Sequence, residues 1–284
     1  MIREEPMVCA HGLVGTLTVP ADGVGDAAVV ILSAGLLPRS GPARLHALLA
    51  RSLATAGLAV LRYDGSGIGD SPPRPDALPI PELAAREPRE VIDALAGRFG
   101  VQRVVLTGIC SGAYAAFRSA ADPRVAGAVL INPQDFVGDP AWGSYVQARR
   151  YVGRSARSLR SWANLLTGRS DYRLLAATVL ARMRARLTGG DRVAQARAAE
   201  VATALEALLA RGCQVRFVLS GLDAAIDHVQ ALFGDRVGTA APLAVIDGAD
   251  HLFLDPGCRA AAVAELTAAC CAILGSAARE TLEL

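Results

Sequence analysis

The stretch Val104-Val105-Leu106-Thr107-Gly108-Ile109-Cys110-Ser111-Gly112-Ala113 decides the fold of this chain. An apolar run typical of a buried strand ends in the pattern Gly-x-Cys-x-Gly, and a run of small residues typical of a helix follows. This context predicts a nucleophile elbow, a sharp turn between a strand and a helix that presents its central residue. Gly108 and Gly112 allow the strand and the helix to approach each other closely around Cys110.

Cys110 is the candidate nucleophile at the centre of this turn. The dipole and the free N–H groups of a helix N-terminus favour a thiolate, so the sequence predicts acyl transfer through a Cys-linked acyl-enzyme. Ser111 is an alternative nucleophile, but it lies off the centre of the Gly-x-Cys-x-Gly pattern. A cysteine after a strand can also be a small core residue. We favour catalysis because a histidine and an acid follow later strands.

The composition predicts one sizeable domain that does not bind nucleic acid. The chain has 284 residues, of which 52% are hydrophobic, and a formal net charge of +2. Its six cysteines are scattered without metal-ligand spacing, so we expect no metal and no cofactor. The N-terminus lacks the apolar core of a signal peptide, and no apolar run reaches about 18 residues. We therefore expect a reduced, cytoplasmic protein without a membrane span.

Short apolar runs alternate with helical segments along most of the chain. The predicted strands are 13–19, 28–33, 58–62, 103–107, 126–131, 214–219 and 242–247. The predicted helices include 43–56, 82–99, 111–121 and 257–275. Continuously apolar strands with helices between them predict an α/β fold with a mainly parallel sheet that is covered on both faces. No helix separates the first two strands, so we expect them to form an antiparallel hairpin.

The alternation stops in the segment 136–209, which is helical in character and rich in arginine. We therefore predict a core formed by 1–135 and 210–284, with 136–209 inserted as a helical lid over the catalytic face. The arginines form either a solvated helix face or an electropositive surface that attracts an anionic partner, such as coenzyme A or an acidic carrier protein. Trp142 and Tyr145 are candidate substrate-binding residues in this segment.

A histidine and an acid follow later strands. His251 lies in the loop after the last predicted strand, where it could take the proton from a thiol and later return it to the leaving group. Asp223 follows the strand 214–219 and could hold the imidazole tautomer and stabilise the imidazolium. Asp227 and Asp250 are alternative acids. The chain order of nucleophile, acid and histidine is that of α/β-hydrolases.

With these residues identified, the chain closely resembles the α/β-hydrolase superfamily. The segment Asp64-Gly65-Ser66-Gly67-Ile68-Gly69-Asp70-Ser71 is similar to its D-x-x-G-x-G-x-S loop, and Arg39-Ser40-Gly41-Pro42-Ala43-Arg44-Leu45 resembles a subgroup with cysteine in the elbow. The resemblance implies an α/β-hydrolase fold and an oxyanion hole formed by the N–H groups of Leu36 and Ser111. The chain departs from many members at Ala34, where they have histidine before the glycine.

The expected function is acyl transfer through Cys110, with thioester substrates preferred. Superfamily members with a cysteine elbow include dienelactone hydrolases and acyl- or aminoacyl-transferring enzymes that act on carrier proteins, so thioesterase, ester hydrolase and acyltransferase all stay open. We expect a small acyl substrate, free or bound to coenzyme A or a carrier protein, and Arg39 as a residue that contacts it. The alternatives are a lactone or carboxylester hydrolase and a non-catalytic binding protein of the same fold. The sequence does not indicate an oligomeric state.

Overall fold

A computed structural model describes residues 1–76, 78–134, 136 and 190–275. These residues form one eight-stranded sheet. Its strands are β1 (Arg3–Val8), β2 (Val14–Val19), β3 (Ala27–Leu32), β4 (Ala59–Tyr63), β5 (Arg103–Ile109), β6 (Val125–Ile131), β7 (Gln214–Ser220) and β8 (Leu243–Ile246). All seven predicted strands are confirmed to within two residues at each end. The additional strand β1 was not predicted.

The strand order is β1-β2-β4-β3-β5-β6-β7-β8, and the strands from β4 to β8 in this order run parallel. β2 pairs antiparallel with β1 on one side and with β4 on the other. The predicted hairpin between 13–19 and 28–33 is therefore wrong, because β4 lies between β2 and β3. The hairpin is formed instead by β1 and β2. After β2 the chain crosses to the far side of β4, where it enters β3.

Helices cover both faces of the sheet. They are α1 (Leu45–Thr55), α2 (Ile80–Phe99), α3 (Ser111–Ser119), α4 (Gly190–Ala210), α5 (Ala225–Phe233) and α6 (Pro256–Leu274). Leu49 of α1 and Leu266 of α6 belong to the apolar cluster on one face. Val91 of α2, Ala113 of α3 and Val229 of α5 belong to the cluster on the other face. The expected mainly parallel sheet with helices on both faces is confirmed.

The central strands are apolar on both sides, which explains why they form continuous apolar runs in the sequence. Along β3, Val29 and Ile31 face one cluster, whereas Ala28 and Val30 face the other, and all four are fully buried. Because these strands are parallel, their carboxyl ends lie along one edge of the sheet. The loops that carry the candidate site residues leave the sheet at that edge.

Helix α4 begins inside the segment 136–209 that was predicted to be a lid. Leu205 and Leu208 of this helix are buried in the apolar cluster that also contains residues of β7. The C-terminal half of α4 therefore packs as part of the core. The remainder of the predicted lid, 137–189, lies outside the described residues, and the division into core and lid stays a prediction.

Helix α6 has the length and composition of a membrane-spanning helix. An 18-residue window within its 19 residues has a mean hydropathy of 1.5, so the helix is apolar enough on average to cross a membrane, although Arg259 and Glu265 interrupt its apolar residues. Leu266, Cys270 and Ile273 of this helix are buried in the apolar cluster on one face of the sheet, as in a core helix. The expectation of no membrane span stays a prediction.

Candidate active site

Cys110 lies at the turn between β5 and α3, in the strained backbone conformation expected of a nucleophile elbow. Its φ of 57° and ψ of −117° are rare for a residue with a side chain. Its backbone N–H donates to the carbonyl of Ile131 at the end of β6 (2.9 Å). A Cβ atom on Gly112 would lie 2.5 Å from the carbonyl oxygen of Leu32, and one on Gly108 would lie 2.7 Å from the carbonyl carbon of Gly112. Both positions therefore require glycine.

His251 and Asp223 meet at the same edge of the sheet. Oδ2 of Asp223, after β7, lies 2.6 Å from Nδ1 of His251, in the loop after β8. The other carboxylate oxygen accepts the backbone N–H of Ala225 (2.6 Å). Asp227 lies in α5, and the Asp250 carboxylate accepts N–H groups of its own loop. Of the three candidate acids, Asp223 is the one that the structure shows bonded to the imidazole.

The second partner of His251 is the thiol of Cys110. Hydrogen bonds to the Asp223 carboxylate and to Cys110 raise the pKa of His251 from 6.5 to about 9, against the effect of partial burial. Because Nδ1 faces Asp223, Nε2 is the ring nitrogen left for Cys110. At neutral pH an imidazole with this pKa is mostly an imidazolium, so His251 can hold the proton that the Cys110 thiol gives up.

The carboxylate of Asp223 is charged despite its burial, with only 4% of the side chain exposed. Burial alone would raise the pKa of Asp223, but hydrogen bonds from His251 and from the N–H of Ala225 outweigh it and hold the pKa below its ordinary value. The carboxylate can therefore accept the Nδ1 proton of His251 both in the imidazolium and in the neutral ring, which leaves Nε2 to exchange a proton with the thiol.

The loop after β3 lies beside the elbow. The N–H of Gly35 donates to the hydroxyl of Ser111 (2.7 Å), and the N–H of Leu37 donates to the carbonyl of Ala34 (2.9 Å). Leu36 lies between these two donors with an exposed side chain. Within the described part of the chain, no acceptor is bonded to the N–H of Leu36 or to that of Ser111. These two N–H groups are the predicted oxyanion donors, and that role stays a prediction.

Arg39, a predicted substrate contact, is engaged within the protein. Its backbone N–H and its guanidinium both bind the buried carboxylate of Asp64. The guanidinium also pairs with Asp70 (2.8 Å) and donates to the hydroxyl of Thr16 (3.0 Å). Asp64 and Asp70 belong to the segment Asp64–Ser71, which follows β4 and contains three glycines. These contacts therefore hold that segment against the residues that follow β3. A contact of Arg39 with substrate stays a prediction.

Among the residues that the structure describes, no group of three or more His, Cys, Asp or Glu side chains is arranged to hold a metal ion. Trp142 and Tyr145, the other two predicted substrate contacts, lie outside the described residues. The chemical groups that the structure does bring together are the thiol, the imidazole and the carboxylate of Cys110, His251 and Asp223.

Sequence comparison agrees with this geometry. Residues 7–266 match the family model described as "Alpha/beta hydrolase family". The chain belongs to the alpha/beta hydrolase family. Comparison with curated protein sequences gave no match.

Solved structures with low sequence identity share the α/β-hydrolase fold. An alpha-beta serine hydrolase homologue from Coxiella burnetii matches with a TM-score of 0.55 and 14% identity over 94% of each chain. A dienelactone hydrolase from Anabaena variabilis matches with a TM-score of 0.53 and 17% identity over 94% of this chain and 96% of its own. A thermophilic esterase from Thermogutta terrifontis matches with a TM-score of 0.53 and 18% identity over 96% and 98%. The predicted α/β-hydrolase fold is confirmed.

Two residues after β6 that were not predicted also contact the site of this α/β-hydrolase. The amide nitrogen of the buried Asn132 donates to the hydroxyl of Ser220 (2.7 Å) and to the carbonyl of His251 (2.8 Å), and its amide oxygen accepts the N–H of Ser220 (2.7 Å). Nε2 of Gln134 lies 3.2 Å from Nδ1 of His251, and the same side chain hydrogen-bonds to Asp223. Their position directly after a parallel strand is the sequence signal for a role at this edge.

Proposed function

We propose that the protein is an acyl-transfer enzyme that works through an acyl group bound to Cys110. The observation that carries the proposal is the hydrogen bond between His251 and Asp223 at the same sheet edge as Cys110, whose thiol also contributes to the raised pKa of His251. A nucleophile, a base and an acid that orients the base are the parts of a catalytic triad. The strained backbone at Cys110 supports this role, because such strain concentrates at functional sites.

In the first half-reaction, Nε2 of His251 takes the thiol proton, and the sulfur of Cys110 attacks the carbonyl carbon of an ester or thioester. A C–S bond forms, and the carbonyl oxygen becomes an oxyanion that accepts hydrogen bonds from the N–H groups of Leu36 and Ser111. The leaving alcohol or thiol then departs with the proton from His251. Asp223 stabilises the imidazolium while it exists. The product is a thioester between the acyl group and the enzyme.

In the second half-reaction, His251 assists water or an acceptor thiol, amine or hydroxyl to attack this thioester. A thioester exchanges readily with thiols and amines and reacts more slowly with water. Exchange between Cys110 and a thioester substrate is nearly isoenergetic, since both sides contain a thioester and a thiol. We therefore favour thioester substrates, with acyl groups on coenzyme A or a carrier protein, and the acceptor decides between thioesterase and acyltransferase.

Intact-mass measurement with acyl thioesters of coenzyme A and of pantetheine tests this proposal. We expect the wild type to gain one acyl group or to release free acid, and Cys110→Ala and His251→Ala to do neither. Cys258→Ala is the matched control, because Cys258 is a partly exposed thiol outside the triad, and this variant should behave like the wild type. An adduct that thiols or amines discharge identifies an acyltransferase, and turnover to free acid identifies a thioesterase. A wild type that shows neither reaction refutes the preference for thioester substrates.

A lactone or carboxylester hydrolase is the second candidate, because the structural neighbours include a dienelactone hydrolase and an esterase. Such an enzyme would use the same groups at Cys110 and His251, with water as the acceptor. It predicts turnover of small cyclic or aryl esters and no reaction with acyl groups on coenzyme A or pantetheine. The same substrate panel, extended with a lactone and an aryl ester, separates the two candidates.

A further inference from the structure

The side chain of Ser111 links the elbow to the loop after β3. Its hydroxyl oxygen accepts the N–H of Gly35 at 2.7 Å, and Ser111 itself is exposed. A Cβ atom on Gly35 would meet nothing within 4 Å, so this hydrogen bond borders open space. Because Ser111 directly follows Cys110, that space lies next to the nucleophile.

This hydrogen bond decides which donors are available in that space. The N–H of Gly35 is occupied by the hydroxyl of Ser111, and the N–H of Leu37 is occupied by the carbonyl of Ala34. A hydroxyl can accept a hydrogen bond and still donate its own proton. Among the described residues, none accepts the proton of the Ser111 hydroxyl. One side-chain donor is therefore unused beside the N–H groups of Leu36 and Ser111.

We propose that the Ser111 hydroxyl donates a third hydrogen bond to the oxyanion, in addition to the N–H groups of Leu36 and Ser111. This inference rests on the proposed function, because the oxyanion forms only when Cys110 attacks a carbonyl carbon. The N–H of Gly35 strengthens the donor, since a hydroxyl that accepts one hydrogen bond donates a stronger one. The proton stays on Oγ of Ser111, which forms no covalent bond in either half-reaction.

A purely structural role, in which the hydroxyl only ties the loop to the elbow, makes different predictions. Acylation of Cys110 by p-nitrophenyl acetate passes through an oxyanion, whereas alkylation by iodoacetamide displaces iodide from a CH2 carbon and forms none. A donor to the oxyanion therefore affects acylation alone. A structural tether acts through the position of the loop, which the crystal structure of a variant reveals directly.

The test compares the acylation and alkylation rates of Cys110 in Ser111→Ala, Ser111→Thr and Ser33→Ala. Ser111→Ala keeps the backbone N–H and loses the hydroxyl, so we expect acylation to slow by about 10- to 100-fold while alkylation stays as in the wild type. Ser111→Thr restores the hydroxyl and should restore acylation. Ser33→Ala is the matched control, because the hydroxyl of Ser33 ties the start of the same loop to the carbonyl of Tyr63 (2.8 Å) and points its proton there.

The proposal is supported if Ser111→Ala slows acylation alone, with the loop after β3 unmoved in its crystal structure, and if Ser33→Ala acylates normally. It is overturned if acylation is unchanged, if alkylation slows equally, if the loop is displaced, or if Ser111→Thr fails to recover. A wild type whose Cys110 is alkylated but never acylated would overturn the proposed function as well. That outcome is distinct, because there would be no wild-type acylation for Ser111→Ala to lose.

Discussion

His46 should make the stability of this protein sensitive to mild acid. The side chain is fully buried near the start of α1, and neither ring nitrogen has a hydrogen-bond partner among the described residues. Burial, together with the positive charge of Arg62, lowers the pKa of His46 from 6.5 to about 4. The folded protein therefore keeps this imidazole neutral at pH values where the unfolded chain binds a proton.

The size of the effect follows from the pKa difference. Between pH 6.5 and pH 4 the unfolded state binds more protons than the folded state, so the free energy of unfolding falls as the pH falls. One pKa unit corresponds to about 1.4 kcal/mol, and the shift at His46 therefore removes about 3 kcal/mol of stability by pH 4. His46→Leu has a similar volume and no titrating group. Its loss of stability from pH 7 to pH 4 should be about 3 kcal/mol smaller than that of the wild type.

Urea unfolding followed by circular dichroism at pH 7 and pH 4 measures both free energies. Leu49→Met is the matched control, because it changes another fully buried side chain of α1 without adding or removing a titratable group. Its difference from the wild type should be the same at both pH values. If His46→Leu and the wild type lose equal stability on acidification, the folded state does not hold His46 neutral, and the reasoning is refuted.

Three further variants test the candidate site. Asp223→Asn should lower the pKa of His251 from about 9 toward 6.5 in an NMR titration, because the largest upward contribution is lost; an unchanged pKa would contradict the choice of acid. Gly112→Ala should lower the free energy of unfolding in urea by about 3 kcal/mol, because its Cβ would lie 2.5 Å from a carbonyl oxygen. The control Gly97→Ala should not lower it, because a Cβ atom there meets no other atom within 4 Å. Asn132→Ala should lower the free energy of unfolding by about 2–4 kcal/mol and slow acylation of Cys110, because three hydrogen bonds lose a partner. Acylation at the wild-type rate would show that Asn132 does not position His251.

The parallel strands could be predicted from the sequence because each is buried on both sides and forms an apolar run. β1 could not, because its residues Arg3-Glu4-Glu5-Pro6-Met7-Val8 are mostly exposed and only Met7 is buried. An edge strand with one partner tolerates charges and a proline, so it lacks the apolar signature of the central strands. The wrong hairpin has the same origin, since β1, the sequence neighbour with which β2 forms its hairpin, was missing from the predicted set.

The site could be predicted in part for a similar reason. Cys110 lies in a local motif, and His251 and Asp223 directly follow predicted strands, so sequence position alone singles them out. Asn132 and Gln134 also follow a predicted strand, but an amide side chain there is not one of the three residue types of a catalytic triad. Their contacts with His251 span 119 and 117 positions of the chain, and such contacts arise only once β6 lies beside β7. Their part in the site is therefore a property of the folded sheet.

The place of the site along the sheet edge follows from the path of the chain around β3. From β3 the chain continues into β4 on one side, and it then crosses to β5 on the other side. The loops at the carboxyl ends of β3 and β5 therefore lead to opposite faces of the sheet, and this switch point is where open α/β sheets form their binding crevice. The hydrogen bond from Gly35 to Ser111 crosses that crevice and joins residues 76 positions apart. A carbonyl group that reaches Cys110 in the proposed mechanism enters the same crevice, so donors from both loops can act on one oxygen atom.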